Sequence, residues 1–244
     1  DHGRYGWRHL YAESRIEGAQ HGDQPVSPTG TGGAVHQLLS QSSSTAFLVD
    51  PYMTCEELHL VQGVANSLGN ASIAGWLPEG GTEENFPGGF KISADKSPNR
   101  KGAEHVLGAD LFTSAAEQLK SALANGSVDT IVAFVGGHGF EGAGAEWNDL
   151  LAKASKRIIF ATQKGTWSEG ADLVIPATAP LEKEGVWVNE DDRAQRTRSC
   201  RSLTSQHFPS ELVLLQEVQV HMESRNRPLS AAGVFRELSE SSAR

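Results

Sequence analysis

The chain has 244 residues, a hydrophobic content of 38% and a formal net charge of −9. This length suits one large α/β domain or two small ones. The acidic balance argues against nucleic acid or an anionic membrane as a direct partner, and no apolar run reaches the roughly 18–20 residues of a membrane helix. The sequence has no signal peptide and does not begin with Met, so we expect Asp1 to be an internal residue of a longer polypeptide.

Metal and thiol chemistry have little support in the composition. The two cysteines, Cys55 and Cys200, form no C-x-x-C pair, and the nine histidines show no metal-ligand spacing. An iron–sulfur cluster held by this chain alone would need about four thiolates. We therefore expect no metal site. Reduced thiols are favoured, while a disulfide between the two cysteines stays open.

Residues 1–44 are predicted to be an N-terminal extension and linker. Residues 1–17 are rich in Arg, His, Trp and Tyr, whereas residues 18–33 hold Gly, Pro, Ser, Thr and Gln with almost no large apolar side chain. The second composition is typical of a linker or mobile loop. A short helix is predicted near 33–41.

The first α/β unit is the clearest part of the pattern. Residues 45–49 form an apolar run that Pro51 stops, because proline lacks the donor that a strand ladder needs. Thr54 then has the character of a helix N-cap, and Glu57 stands where it completes a capping box. Apolar residues repeat every three or four positions after it, and Gly69 supplies a left-handed stop.

Residues 70–108 are predicted to be irregular, apart from one candidate strand at 72–77. A connection of this length is typically functional or mobile. It carries a basic cluster that stands out in an acidic chain: Lys91, Lys96, Arg100 and Lys101. The cluster is either a solvated loop tip, or an anion site or subunit contact.

Helices and strands alternate over the rest of the chain. The predicted helices are 111–125 and 145–155, and the predicted strands are 130–135, 157–161 and 171–175. This order predicts a Rossmann-like α/β fold with an open, mostly parallel sheet, helices on both faces and right-handed crossovers. The α/β domain would span 45–202, and 203–244 would add two helices capped by Ser210 and Ser230.

A glycine-rich turn follows the predicted strand 130–135. Gly137, Gly139 and Gly142 satisfy G-x-G-x-x-G, in which glycines let backbone amides approach a phosphate at a helix N-terminus. A nicotinamide site also needs a carboxylate at the end of the next strand, and residues 162–164 supply none. The turn therefore has three interpretations: an NAD site, a phosphate site for another cofactor, or a tight empty turn.

A polar loop follows the short strand that ends at Pro176. Residues 171–196 run from ADLVIPA to EKEGVWVNEDDRAQR. They resemble a segment of the molybdopterin oxidoreductase family and of the related large iron–sulfur subunit of bacterial NADH:quinone oxidoreductases (complex I). In that family the segment reads roughly A-D-V-V-L-P-A and then E-K-x-G-T-F-x-N-x-E-G-R-x-Q.

Three further stretches resemble the same family. Residues 1–7 are similar to the C-D-x-G-R-F-G stretch that follows a cluster-ligating cysteine in the large iron–sulfur subunit. The segment around Thr54–Glu57 is similar to S-P-x-L-T-N-E-E, and the glycine-rich turn after strand 130–135 is similar to a V-x-G-x-N-P turn. The resemblance is stronger to this complex I subunit than to formate-dehydrogenase-type enzymes.

The resemblance implies a set of cofactor-binding positions, because both loops lie near the pterin in active relatives. They are Gly137, Gly139, Gly142, Glu182, Gly185, Asn189 and Arg193. An alternative is that Glu182 pairs with Arg193 while Asn189 caps a turn. This chain departs from the family with Val186 for Thr, Asp191-Asp192 for Glu-Gly and His138-Gly139 for Asn-Pro. Val186 lacks the hydroxyl, and the two aspartates add negative charge where an anionic cofactor would approach.

We therefore expect a C-terminal scaffold domain of the large iron–sulfur subunit, in the cytoplasmic, peripheral arm of an inner-membrane complex. The resemblance implies iron–sulfur clusters in the part upstream of Asp1 and contacts with other subunits. No catalytic residue or cofactor is expected in this segment. One alternative is a fragment of an active molybdopterin-dependent oxidoreductase. A second is a stand-alone nucleotide-binding module.

Overall fold

A computed structural model describes residues 10–136, 145–200, 208–226 and 229–242. The strands are β1 (Ala19–His21), β2 (Gln24–Val26), β3 (Thr45–Val49), β4 (Ala71–Gly75), β5 (Glu84–Asn85), β6 (Lys91–Ile92), β7 (Thr130–Val135), β8 (Lys156–Ala161), β9 (Leu173–Pro176), β10 (Gly185–Val188) and β11 (Ala194–Thr197). The helices are α1 (Thr31–Ser40), α2 (Cys55–Leu68), α3 (Arg100–Leu107), α4 (Ser114–Ala124), α5 (Ala145–Leu151), α6 (Glu211–His221) and α7 (Ala231–Ser242).

The central sheet has seven strands in the order β2-β1-β9-β8-β7-β3-β4. Strands β4, β3, β7, β8 and β9 pair in parallel, as the sequence predicts. Numbered along the chain, these five strands follow the order 2-1-3-4-5 of flavodoxin-like doubly wound sheets. The α/β fold class is confirmed.

Helices cover both faces of this sheet. On one face, Phe47, Phe134 and Phe160 pack in a core with side chains of α1, α2, α6 and α7. On the other face, Leu48 and Ile131 pack against α4, α5 and buried tryptophans. The parallel strands read as continuous apolar runs because both of their faces are buried.

The N-terminal segment departs from the prediction of a linker over 18–33. Strands β1 and β2 form an antiparallel hairpin there, and β1 pairs with β9, so the hairpin extends the sheet. Only Ala19 of the first strand is buried, so the hairpin has almost no apolar pattern. Tertiary pairing with β9, rather than local propensity, holds it in the sheet.

The middle of the chain contains a helix that the sequence pattern did not predict. Helix α3 lies inside the segment expected to be irregular, and its buried residues are only Gly102 and Ala103. The other apolar side chains of this eight-residue helix, Val106 and Leu107, lie in its last turn, so the apolar pattern is too short to stand out from the surrounding loop. The helix is held by packing on α2 and by an ion pair from Arg100 to Glu104 one turn later.

Several local predictions are confirmed at the level of single residues. Thr54 and Glu57 form both bonds of the capping box, and Gly69 is left-handed with a φ of 71°. The two C-terminal helices are present, and α6 packs on α1 and α2. Cys55 and Cys200 are both free thiols, so the disulfide alternative is wrong. Across the described ranges, no helix combines the length and apolarity needed to cross a membrane.

Candidate functional site

The sheet reverses its winding direction between β3 and β7. In open α/β sheets, ligands bind outside the carboxyl ends of the strands at this switch point. Asp50 follows β3 and Gly136 follows β7. Asp50 is 2% exposed, and its two carboxylate oxygens accept hydrogen bonds from the backbone N–H of Gly136 at 2.5 Å and of Tyr52 at 2.8 Å. An acidic side chain thus bridges the two strand ends.

Burial determines the proton affinity of Asp50. It raises the pKa of this carboxyl to about 6, although the charge of Lys183 and the two backbone N–H groups oppose the shift. Gly136 allows the close approach, because a Cβ at that position would lie 2.8 Å from Asp50 Oδ2.

A buried charge cluster lies next to Asp50. The Lys183 ammonium donates to both carboxylate oxygens of Glu57 and to Oε1 of Glu211, each at 2.9 Å. All three side chains are 3% exposed. The other Glu211 oxygen accepts from the N–H of Thr178 at 3.0 Å and from its hydroxyl at 2.5 Å. We call Asp50, Glu57, Lys183 and Glu211 the switch-point cluster.

The proton affinities of Glu57 and Lys183 depend on burial and on each other's charge. Burial raises the pKa of Glu57, and the nearby Glu211 adds to the shift while Lys183 opposes it. Burial alone would lower the pKa of Lys183, but the charges of Glu211 and Glu57 outweigh it and raise that pKa. Of the acids in the cluster, Asp50 and Glu57 therefore hold their protons more strongly than free side chains do.

Two helix N-termini supply two of the three acids of this cluster. Glu57 is the third residue of α2 and also closes the capping box through the N–H of Thr54 at 2.8 Å. Glu211 is the first residue of α6. Negative charge is favourable at helix N-termini, where backbone N–H groups lack intrahelical partners. Glu57 therefore closes a helix cap and binds the lysine, while Glu211 binds the lysine from the first turn of α6.

The space inside the cluster is small. A cavity of about 10 Å³ lies among its side chains, close to the volume that admits one water. Its lining includes Asp50, Met53, Gly136, Phe160, Lys183 and Glu211. The cluster itself therefore has no room for a pterin or a nucleotide.

The hairpin of β10 and β11 packs on the start of α2. Glu56 Oε2 accepts from the N–H of Val186 at 2.8 Å, and Asn99 Oδ1 accepts from the N–H of Val188 at 2.7 Å. Gly185 makes this approach possible, because a Cβ there would lie 2.6 Å from Glu56 Oε2 and 2.7 Å from Thr54 Cβ. The predicted site residue Gly185 thus serves backbone packing.

The other predicted residues of this loop do not gather around one cavity. Glu182 is buried, accepts from the N–H of Ala179 at 2.9 Å, and forms its ion pair with Arg15. The alternative in which Glu182 pairs with Arg193 is therefore wrong. Asn189 caps the hairpin turn, as one alternative predicted, by accepting from the N–H groups of Asp191 at 3.1 Å and Arg193 at 2.9 Å. The Arg193 side chain is exposed.

The structure does not describe the glycine-rich turn, but it does describe the basic cluster. Gly137, Gly139 and Gly142 lie outside the described residues. Asn189 borders a cleft of about 530 Å³ together with Lys96, Arg100 and Lys101. Within this cleft Arg100 is paired with Asp95 at 3.4 Å and with Glu104 at 2.8 Å, so much of its charge is compensated.

Sequence reasoning missed the switch-point cluster as a unit. Asp50 and Glu57 were interpreted only as strand and helix boundaries, and Lys183 and Glu211 received no role. One signal was available: an acid directly after a fully apolar strand stands at the carboxyl edge of a parallel sheet. The pairing of Lys183 with acids 28 and 126 positions away has no local signal.

Neither metal ligands nor known relatives identify the site. Among the described residues, no group of three or more His, Cys, Asp or Glu side chains could hold a metal ion. No model of a protein family matches the chain, and no curated protein matches it.

Proposed function

We propose that this chain is a non-catalytic scaffold domain of the large iron–sulfur subunit of an NADH:quinone oxidoreductase. It would lie in the cytoplasmic arm of that complex and contact other subunits there. One observation carries the proposal: family-like residues that face a pterin in active relatives make internal contacts here. Glu182 binds Arg15, Gly185 packs on Thr54, and Asn189 caps its own turn.

Two of the segments that resemble the family contact each other. Glu57 of the first segment binds Lys183 of the second across 126 positions, and Glu56 accepts from the N–H of Val186 across 130. The two segments must fit together for the domain to pack. This contact explains why both of them keep a family-like sequence. This supports descent of the fold without retention of the cofactor.

The electrostatics of the switch point also favour a scaffold. Asp50, Glu57 and Glu211 place three carboxyls around Lys183 at the edge where a doubly wound sheet binds its ligand. Pterin cofactors and nucleotides carry phosphate. At neutral pH Asp50, with a pKa of about 6, is mainly ionised, and its charge disfavours their approach to this part of the crevice. The proposal therefore assigns the switch-point cluster to folding.

Purification of the native full-length protein with its partners tests the proposal. We expect an assembly that contains iron, oxidises NADH with a quinone acceptor, and lacks stoichiometric molybdenum or tungsten. Molybdenum or tungsten near one atom per chain would contradict the scaffold proposal and favour an active pterin enzyme. A protein that purifies alone, without redox partners, would contradict the proposal too.

Two variants make this test sharper. Arg193→Ala removes an exposed side chain, so a scaffold should keep the metal content, NADH oxidation and subunit composition of the wild type. In an active pterin enzyme the same change should reduce bound cofactor. Calorimetry with NADH, ATP and GMP addresses the nucleotide-binding alternative. Micromolar binding that Gly139→Asp abolishes would favour that alternative over a scaffold.

A further inference from the structure

A hairpin with two exposed phenylalanines projects from the segment between β4 and α3. Its strands β5 and β6 pair antiparallel, and every residue from 79 to 91 is exposed. Phe86 is 42% exposed and Phe90 is 62% exposed. The buried phenylalanines of the described chain contrast with them: Phe47, Phe134, Phe160 and Phe208. We call residues 83–92 the Phe finger.

The Phe finger has a defined shape without a partner. The N–H of Phe86 donates to the carbonyl of Phe90 at 2.8 Å, which closes the turn. Gly88 and Gly89 adopt φ values of 85° and 82°, a left-handed conformation that glycine adopts readily. The two phenyl rings contact each other with centroids 5.5 Å apart. Binding would therefore cost little conformational entropy at the tip.

The base of the finger is fixed as well. The N–H of Gly81 donates to the carbonyl of Ala94 at 2.7 Å, and Lys91 pairs with Glu83 at 2.8 Å across the two strands. An isolated two-stranded hairpin is marginal in water, so these contacts matter for its shape. The finger therefore holds its aromatic tip away from the body of the domain.

Exposed phenyl rings contribute little to the fold but much to an interface. Full burial of one phenylalanine stabilises a contact by roughly 1.5–3 kcal/mol. Aromatic side chains are enriched in protein interfaces, where they fill pockets of the partner. Two adjacent rings on a rigid projection bury more apolar area in a pocket than they would against a flat surface.

The charges around the tip specify the partner further. The finger contains two acids, Glu83 and Glu84, and one base, Lys91, which is paired with Glu83. Glu79 precedes the finger, and Lys96 at its base donates to the carbonyl of Ser93. This excess of negative charge disfavours anionic lipid and also a second, equally acidic finger. It complements lysine or arginine on the partner.

We propose that the Phe finger inserts Phe86 and Phe90 into an apolar pocket of a different protein, and that basic side chains surround that pocket. In the proposed complex the partner would be a neighbouring subunit, but the inference does not require that function. It stands on the exposure, the preformed turn and the acidic flanks of the finger.

A photo-crosslinking amino acid at position 90, in cells that make the full-length protein, tests the inference. Mass spectrometry then maps the crosslinked peptide. We expect one adduct with a different protein, at an apolar pocket flanked by Lys or Arg. The control carries the crosslinker at Val220, which is 39% exposed on α6. Absence of an adduct beyond this control, or adducts only with a second copy, would overturn the inference.

Calorimetry with the purified, mapped protein provides the second readout. The double variant Phe86→Ser/Phe90→Ser should weaken binding at least about tenfold, equivalent to roughly 1.4 kcal/mol. The matched variant Val213→Ser/Val220→Ser should bind like the wild type. Because both phenylalanines are exposed, the melting temperature should not change, which separates loss of docking from loss of fold.

Three results would contradict the finger as a protein-docking element. One is unchanged affinity of the double variant for the mapped protein. The second is a dimer of the purified chain that the same double variant abolishes. The third is binding to vesicles of phosphatidylcholine and phosphatidylserine that the double variant also abolishes. If the mapped partner belongs to no redox complex, the inference about the Phe finger still holds. That result would contradict only the proposed scaffold function.

Discussion

Lys183 donates to both carboxylate oxygens of Glu57 at 2.9 Å, and through this contact the loop after β9 is fixed to the start of α2. The same ammonium reaches Glu211 at 2.9 Å, so one lysine joins two helix N-termini. All three groups are buried. A charge in this position is stabilised only by its partners, which makes the fold sensitive to each of them.

Removal of the lysine should strongly destabilise the domain. Lys183→Met leaves Glu57 and Glu211 buried without a cation, and breaking such a pair from one side costs about 3–5 kcal/mol. We expect this loss in the free energy of unfolding, measured by urea denaturation at neutral pH. The control is Lys153→Met, which removes an exposed lysine and should change stability by less than about 0.5 kcal/mol.

A second substitution should recover part of that loss. In the Lys183→Met background, Glu57→Gln removes one of the two acids that lack a cation. The loss of unfolding free energy in the double variant should therefore be smaller than the sum of the losses in the two single variants. If Lys183→Met costs no more than Lys153→Met, or if the two changes are additive, the buried cluster does not stabilise the fold as the geometry indicates.

Asp50 should make stability depend on pH. The ordinary pKa of aspartate is about 4, and burial raises that of Asp50 to about 6. Between about pH 4 and 6 the folded state holds a proton that the unfolded chain has lost. The stabilisation from this group is thus complete below about pH 4 and is lost as pH rises through 6. Glu57, whose pKa burial also raises, acts in the same direction.

The variant Asp50→Asn isolates this contribution. It should make the fall in unfolding free energy between pH 4 and 6 shallower, by up to about 1.4 kcal/mol per pH unit for one proton. Denaturation series across that range measure the slope. Asp149→Asn, which changes an exposed carboxylate, should leave the slope unaltered. Equal slopes for wild type and Asp50→Asn would show that Asp50 does not retain its proton in the fold.

A methyl group at position 185 should destabilise the domain even if no cofactor binds. The Cβ of Gly185→Ala would lie 2.6 Å from Glu56 Oε2 and 2.7 Å from Thr54 Cβ, so the β10–β11 hairpin must shift away from α2. Overpacking of this kind costs typically about 1–3 kcal/mol. The melting temperature in the absence of any cofactor measures the effect.

The matched control is Gly18→Ala, because no atom lies within 4 Å of a Cβ at that exposed position. It should be neutral or slightly stabilising, since alanine restricts the unfolded chain more than glycine does. If the two alanine variants have equal stability, Gly185 is not needed for packing and its family-like position requires another explanation.

The sequence predicted those parts of the fold whose physics is local. Strands 45–49 and 130–135 carry continuous apolar runs, and the cap residues Thr54 and Gly69 act within one helical turn, so each could be identified from neighbouring residues. The hairpin β1–β2 was missed because its pairing with β9 lies about 150 positions away in the chain.

The candidate site was less predictable for the same reason. The resemblance pointed to Glu182 as a cofactor-binding position, but its ion-pair partner Arg15 lies 167 positions upstream and no spacing rule connects them. Charge pairs inside a core depend on which strand ends become neighbours. Strand order therefore has to be known before Asp50, Lys183 and Glu211 can be assigned to one cluster.

The N-terminal cap of α2 allows a further test. Its hydrogen bonds join residues within one helical turn, and one of these residues, Glu57, belongs to the switch-point cluster. Thr54 Oγ1 accepts from the N–H of Glu57 at 3.2 Å, and Thr54→Ala removes this bond at a residue that is fully buried. We expect a loss of about 1–2 kcal/mol in urea denaturation. Ser210 occupies the same position before α6 but makes no cap hydrogen bond with its side chain. Ser210→Ala should therefore cost much less, and equal losses would mean that the bond to Glu57 does not stabilise the helix.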